Sequence, residues 1–530
     1  MGQRQQHRAT HSARDHALAV LRARNSALAL ALLPAAVAVV LFAAGPDVPD
    51  AVRWPVAGVA VAVIAVAAAV GVLIARARPA VTPTIDVSEA DAPALHGLIR
   101  DLADRLAVPH PGGIALTPDC DSWLEEQPRT RDTGGPHVLA GSDTRAPVLV
   151  IGSPFLWWMR VGELRALLAP VVAGTGPSAH PDIAAARRCV RSWDATAGLA
   201  AGAWPPRHPL LALSGAVSRL LLRAAGTHAA EMERGVAAAA SARAHSVDHG
   251  VRTAAQEQVG LAYAGWDRLL TKVALPAWRM GRWPRRLNAG VVSALTELSR
   301  RDRLAAQGFA SRLGERPACD LLEEPGRVDE EISLLAARLF HGGPGHDAAP
   351  WAPLDWTAYP EEVVDRIWRD RAARLFAALD AEETPTLARA LSRLTEAAAG
   401  PGGPDALAAR IGTAADGGTD DPFPAATTGG RSGVLPPLGF PAQPPATGRE
   451  LLVEHVAAAV CCATADTTGA TPALDWLDGP VLRSGSPRRP TDLKRLGGCV
   501  HSLVDEADPE PLRAWLTAAG VREDKPVRLV

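Results

Sequence analysis

Val161-Gly162-Glu163-Leu164-Arg165-Ala166-Leu167-Leu168-Ala169-Pro170-Val171-Val172-Ala173-Gly174 is the run on which the reading of this 530-residue chain turns. It follows a β-like stretch, Ala146-Pro147-Val148-Leu149-Val150-Ile151-Gly152, and a short apolar lead-in, Ser153-Pro154-Phe155-Leu156-Trp157-Trp158. Its composition predicts a helix whose role is packing. Pro170 lacks an N–H and clashes with the carbonyl four residues back, a penalty of about 3 kcal/mol unless the helix bends or ends there. Gly174 weakens the same turn.

Outward from this run, the bulk composition supports a folded chain of two or three domains, with 48% hydrophobic and 21% charged residues. A formal net charge of −2 gives no global reason to expect nucleic acid as a partner. Cys120, Cys189, Cys319, Cys461, Cys462 and Cys499 form no CxxC pair, which argues against a zinc ribbon or a secreted disulfide framework and fits a reducing compartment. Heavy use of Ala, Arg, Gly and Pro looks like the product of a GC-rich bacterial genome.

Ser26 to Gly45 and Val56 to Ala75 are uncharged, mostly apolar runs, each about 30 Å long as a helix and so able to cross the hydrocarbon layer. A short, turn-rich connection from Pro46 to Pro55 makes them a hairpin, with Trp54 at a headgroup interface. Arg4, Arg8, Arg14, Arg22 and Arg24 precede the first span and Arg76 and Arg78 follow the second, against only Arg53 with Asp47 and Asp50 between them. Both ends should therefore face the cytoplasm, giving a two-span membrane protein with cytoplasmic soluble domains. A cleaved signal peptide fits less well, because the apolar run is long, lacks an A-x-A site and is followed at once by a second span.

In the soluble part, Thr84 to Val87 and Gly113 to Thr117 read as strands, and Leu95, Ile99, Leu102 and Leu106 recur at helical spacing. Gly134 to Gly141 is a further short strand in this reading, and Val148 to Ile151 takes the place of an edge strand able to pair with an extended peptide. A helix runs from His180-Pro181-Asp182 through Ala195, and Pro209 to Arg223 reads as core, too short and basic for a third span. Glu330 to Phe340 and Glu361 to Leu379 are helical, and Asp416 to Gly448 is linker-like. A hairpin around Leu474 to Leu482 and helices near Leu493 to Val504 and Glu510 to Ala519 complete a small tail domain.

The order "LVIG", a few apolar residues, then "ELRALLA" resembles the M48-type (CAAX prenyl protease-like) zinc metallopeptidase family over roughly residues 85 to 310. In that family the run leads into HExxH, where two imidazoles at i and i+4 hold one zinc and the Glu polarises its water. Aligned on Glu163-Leu164 and Leu168-Ala169, the first His falls on Pro170, the Glu on Val171 and the second His on Gly174, none of which binds zinc or moves a proton. Glu231-Met232-Glu233-Arg234-Gly235 stands where the family has ExEAD, so the resemblance gives Glu231 the place of the third ligand and Gly235 that of the Asp.

The resemblance implies a helix-rich, zincin-like α+β fold behind a two-helix transmembrane hairpin. The organisation expected is a basic cytoplasmic N-terminus (1–25), the hairpin (26–78, with spans 26–45 and 56–75) and an M48 peptidase-like domain (82–320). A helical extension (321–400), a Pro/Gly-rich linker (401–449) and a small C-terminal α+β domain (450–530) follow. The function it implies is that of a degenerate peptidase with no catalytic residue, metal or cofactor, whose groove binds an extended polypeptide or a membrane partner.

Three further features bear on function. His245-Ser246-Val247-Asp248-His249 has the spacing of an inverted zincin motif with Asp for Glu. With Glu231, His245 and His249 would make the zinc site of an active endopeptidase; as ordinary helix-end histidines they favour a C-terminal dipole. His341 and His346 are a similar pair. Trp266, Arg268, Lys272, Trp278, Arg279, Arg282, Trp283, Arg285 and Arg286 form a basic aromatic stretch, read either as an inner-leaflet contact or as core tryptophans with solvated arginines. A purely structural membrane scaffold is the third functional class.

Overall fold

The computed structural model describes residues 2–44, 49–79, 82–126, 146–202, 208–245, 249–301, 315–341, 351–380, 383–399, 403–417, 448–476, 479–483 and 493–529. These form two compact units, Met1–Gly260 with Gly314–Pro325, and Leu261–Leu313 with Gly326–Val530. The architecture is helix-rich, with three small sheets among the described residues.

In the first unit, α1 (Gly2–Ala43) and α2 (Asp50–Arg76) carry the two apolar runs, and their leucines and valines stand exposed, among them Leu30, Val39, Val59 and Val61. An uninterrupted apolar surface of this kind is stable only against lipid or another apolar partner. The basic segment before the first run is part of the same helix. Ala13, Ala17 and Val20 share one face at helical spacing and are buried against Ile183, Trp193, Leu221, Met232 and Val236.

Among the described residues four helices are long and apolar enough to cross a membrane, where the sequence suggested two: Ser12–Ala43 of α1, α2, and two less apolar ones, α8 (Pro209–Ala244) and the helix Gly448–Thr468 of the second unit. Half of that last helix is buried inside its own unit. The reading of Pro209 to Arg223 as core is corrected: Leu210, Leu213 and Leu220 are exposed. The run is only the first part of a 36-residue helix, and its basic residues had masked its outward apolar face.

β1 (Ile85–Val87), β2 (Gly113–Thr117), β3 (Trp123–Glu125) and β4 (Val148–Gly152) form one sheet in the order β1-β2-β4-β3. β2 and β4 are parallel, with Ile114 opposite Leu149, while β1 and β3 are antiparallel to their neighbours. Val148 to Ile151, expected at the edge, is therefore internal, and β3 is the edge strand on that side, with β1 at the other edge. An unbroken apolar run buried on both faces suits an inner strand. The strand expected over Gly134 to Gly141 lies outside the described residues.

α3 (Pro93–Arg105) packs against the helix Val161–Ala173, and its His96 Nε2 lies 3.0 Å from the Val87 carbonyl of β1. From β4 the chain passes directly into α4 (Ser153–Trp158) and α5 (Val161–Ala173). Glu163 Oε2 accepts the Arg160 N–H at 2.8 Å, which fixes the start of α5. Residues 316–318 brace the α4–α5 junction, with Val161 N donating to Arg316 O and Ala318 N to Met159 O. The short α6 (Thr175–Ser178) leads to α7 (Pro181–Ala201), which packs with α8. α9 (His249–Leu269) follows, and its Gln258 Oε1 accepts the Trp158 Nε1–H at 2.9 Å.

In the second unit, α10 (Leu275–Arg279) precedes β5 (Arg282–Pro284), which pairs in parallel with β6 (Ala352–Leu354). α11 (Leu287–Arg301) is capped by Asp329 of α12 (Pro325–His341). α13 (Arg366–Ala378) and α14 (Leu387–Ala399) follow. Inside the stretch read as linker stands α15 (Gly403–Gly417), whose Leu407 and Ile411 make a buried i, i+4 pair; 418–447 lie outside the described residues. α16 (Gly448–Thr468), the antiparallel hairpin β7 (Thr471–Asp475) and β8 (Gly479–Arg483), α17 (Leu493–Glu506) and α18 (Glu510–Ala519) match the elements expected after Leu451.

Candidate functional site

Pro170 lies inside α5, and the helix ends three residues later at Ala173. The late position limits the cost of the proline, since only the last turn is disturbed. Its missing N–H leaves the Ala166 carbonyl without a helical donor. Ala166, Leu167 and Pro170 form one wall of a cleft of about 370 Å³; Ser241, Ala244 and His245 of the α8 terminus, and Arg252, Thr253, Ala255 and Gln256 of α9, form the others.

Among the described residues the lining includes no carboxylate, and its polar groups are hydroxyls, an amide, an imidazole and a guanidinium. Gly174 stands at the end of α5 toward the edge strand. A Cβ placed there would meet Val171 O at 3.0 Å and Leu124 Cδ1 at 3.4 Å. The donor set at Pro170, Val171 and Gly174 does not fit a zinc ion: it presents a ring carbon, a branched hydrocarbon and a bare Cα.

Glu231 is half-exposed on α8 and pairs with Arg234 at 3.0 Å, while Glu233 pairs with Arg187 at 2.6 Å. Glu231 lies 10 positions before Ser241 on one continuous helix, about 15 Å along its axis and outside the cleft lining. The resemblance-based alignment had put the acid beside the α5 positions, and the structure puts Ser241 and His245 there instead.

The expected His245/His249 pair is not on one helix. His245 caps the C-terminus of α8, with Nδ1 2.6 Å from Ser241 O, and His249 opens α9. Residues 246–248 lie outside the described residues. Glu231 and His245 are 14 positions apart along α8, about 21 Å, so they cannot share an ion.

His341 is half-buried between Trp278 and Trp351, at ring-centroid distances of 6.2 and 5.2 Å. Burial, with the Arg279 charge adding to it, pushes its imidazole down to about 4, which favours the neutral ring. His346 lies outside the described residues.

The reading of the basic aromatic stretch as an inner-leaflet contact is corrected by burial. Trp266, Trp278 and Trp283 are core side chains, with Trp278 only 1% exposed. Arg282 pairs with Glu362 and Arg285 lies 3.6 Å from Glu330, while the Arg286 carbonyl accepts the Trp356 indole N–H. Mixed spacing of Trp and Arg suits a core helix with charged stems outside as well as it suits a headgroup contact.

Sequence reasoning missed Ser241, Arg252, Thr253 and Gln256. Arg252, Thr253 and Gln256 stand at helical spacing on α9, but nothing local marks which face of that helix meets α5. No family model, curated protein or solved structure matches this chain.

Proposed function

We propose that this chain is a membrane-anchored, zincin-like relative of the M48 peptidases, one that binds an extended polypeptide in its cleft and does not cleave it. The observation that carries this reading is the cleft itself, which opens on Pro170 of α5 and offers hydrogen-bonding groups, with no metal-binding set among the described residues. Two further features support it. α5 follows a mixed sheet whose edge strand β3 touches the end of that helix through Leu124, a layout in which an extended chain can add alongside a strand. The cleft wall also carries the Ser241 and Thr253 hydroxyls and the Gln256 amide, groups able to exchange hydrogen bonds with a peptide backbone.

The test uses full-length protein in lipid nanodiscs, with the photoreactive residue benzoylphenylalanine at Leu167 or Leu124 and reduced, unfolded casein as the probe. The expected result is crosslinked, intact casein at both positions. Casein fragments whose appearance stops on adding a zinc chelator, or the absence of crosslinks at both positions, would overturn the proposal.

A further inference from the structure

We infer that the helical hairpin formed by α7 and α8 dips into the cytoplasmic half of the bilayer beside α1 and α2 and turns back before reaching the far side. The argument rests on the register of α1 against α7 and α8. Ala13 lies against Gly235, His16 Nδ1 is 3.1 Å from His228 Nδ1, and Arg14 pairs with Asp182 at 2.9 Å. Further along, Arg24 reaches Cys189, and Ala200 closes on Gly215. As α1 advances toward its apolar run, α7 therefore advances with it and α8 runs back toward its own N-terminus.

The level of the membrane surface can be carried from one helix to the others. From His16 to Ser26, where the uncharged run of α1 begins, is 10 residues, about 15 Å. The same distance back from His228 reaches Ser218. Arg219 and Arg223 of α8 then stand at the level of Arg22 and Arg24 of α1, which is where guanidiniums belong at a headgroup interface. Beyond this girdle the exposed side chains of α8 are apolar, with Leu210 and Leu213 46% and 42% exposed; on α7 the exposed Asp194 stands at about the level of the girdle and Leu199, 56% exposed, lies beyond it. Leu220, 64% exposed, sits at the girdle itself.

The occupant of this surface is lipid, because the surface continues that of α1 and α2 at the same level. Leu210 is 8 residues past Ser218, so it reaches about 12 Å into a hydrocarbon core of about 30 Å. A full crossing would need roughly 18 Å more in each direction. α7 ends at Ala201 and α8 begins at Pro209, and the 7 residues between them span at most about 25 Å even when fully extended. That is too short for a path of about 36 Å there and back. Ser214 and Ser218 are buried; Ser214 Oγ donates to the Leu211 carbonyl and is satisfied within its own helix, as a lipid environment demands, whereas Ser218 Oγ, at the level of the surface, has no hydrogen-bond partner among the described residues.

The test places benzoylphenylalanine singly at Leu210, Leu213 and Leu220 in the full chain, reconstituted in vesicles of phosphatidylcholine and phosphatidylglycerol. Mass spectrometry should find phospholipid adducts at Leu210 and Leu213 in yields within about threefold of those at Val39 of α1, and none at the exposed Ala237 of α8. Adducts at Val39 but none at Leu210 or Leu213 would overturn the inference. Sidedness is read separately with an impermeant maleimide, counting labelling above that of the unsubstituted chain. Asp50→Cys should label from the far side and His208→Cys should not; far-side labelling of His208→Cys would show a complete span and overturn the partial depth.

Discussion

Ala13 of α1 and Gly235 of α8 meet so closely that a Cβ at Gly235 would lie 2.9 Å from Ala13 Cβ and 3.2 Å from the Ala13 backbone. The glycine standing where the family motif has Asp is thus required by a helix crossing. Replacing it with Asp, which would restore the motif letter, should destabilise the protein by about 1–3 kcal/mol through overpacking against backbone that cannot rotate away. Thermal unfolding in detergent should show the loss for Gly235→Asp and for Gly235→Ala. A neutral result for both would mean that the two helices do not cross there.

Arg369 is almost fully buried in the second unit. Its Nε donates to Asp365 at 2.8 Å, and Nη2 and Nη1 donate to the two oxygens of Asp466 at 3.0 and 3.2 Å. Burial alone would raise the Asp466 carboxyl; hydrogen bonds from Arg369 and the Arg528 N–H outweigh it and hold the group below its ordinary value. Arg369→Ala leaves two carboxylates without their cation and should cost about 3–5 kcal/mol. Arg513→Ala removes a solvent-exposed partner of Glu510 and should cost under about 1 kcal/mol. Denaturant unfolding of the two variants side by side checks the contrast.

Asp329 accepts the N–H groups of Asn288 and Ala289 at 2.9 and 3.1 Å, capping α11. Burial nevertheless pushes its carboxyl up to about 6, these hydrogen bonds opposing the rise. A carboxyl raised in the folded state binds its proton more tightly there than in the unfolded chain. Its contribution is therefore complete below about pH 4 and is lost as the pH rises through about 6, by an amount on the order of 3 kcal/mol. Unfolding measured from pH 4 to 7 should show a steeper decline in the parent than in Asp329→Asn. Equal slopes would refute it.

Elements defined by strong local patterns were legible in the sequence: the two apolar runs of α1 and α2, the strands β1, β2 and β4, and the hairpin β7–β8 with its flanking helices. What escaped was decided by distant partners. Val148 to Ile151 looks the same at an edge or inside a sheet until β3 is placed beside it. Trp278 and Arg282 look the same on a membrane face or around a core until Phe340 and Glu362 are found against them. The candidate site was half legible, since Pro170 announces a helix without ligands, whereas the choice of Ser241 and His245 over Glu231 as its neighbours depends on how α8 lies against α5.

That last placement can be tested by rebuilding the motif. In Pro170→His/Val171→Glu/Gly174→His the α5 helix gains two imidazoles and a general base, and the proline is removed. The α8 residues that line the cleft with Pro170 include Ser241 and His245, and Glu231 lies about 15 Å from Ser241 along the helix. A His at 174 would also set its Cβ 3.0 Å from the Val171 carbonyl, a tight contact with backbone, and against Leu124 Cδ1 at 3.4 Å. Two imidazoles without a correctly placed third ligand hold zinc weakly and without the open tetrahedral geometry that activates water. The expected outcome is less than one zinc per chain after dialysis and no chelator-sensitive cleavage of casein. Adding Ser241→Glu, which sets a carboxylate where the structure has the cleft wall, should raise zinc retention. If the triple variant alone retains one zinc and cleaves casein, Glu231 reaches the cleft and the assignment of its walls is wrong.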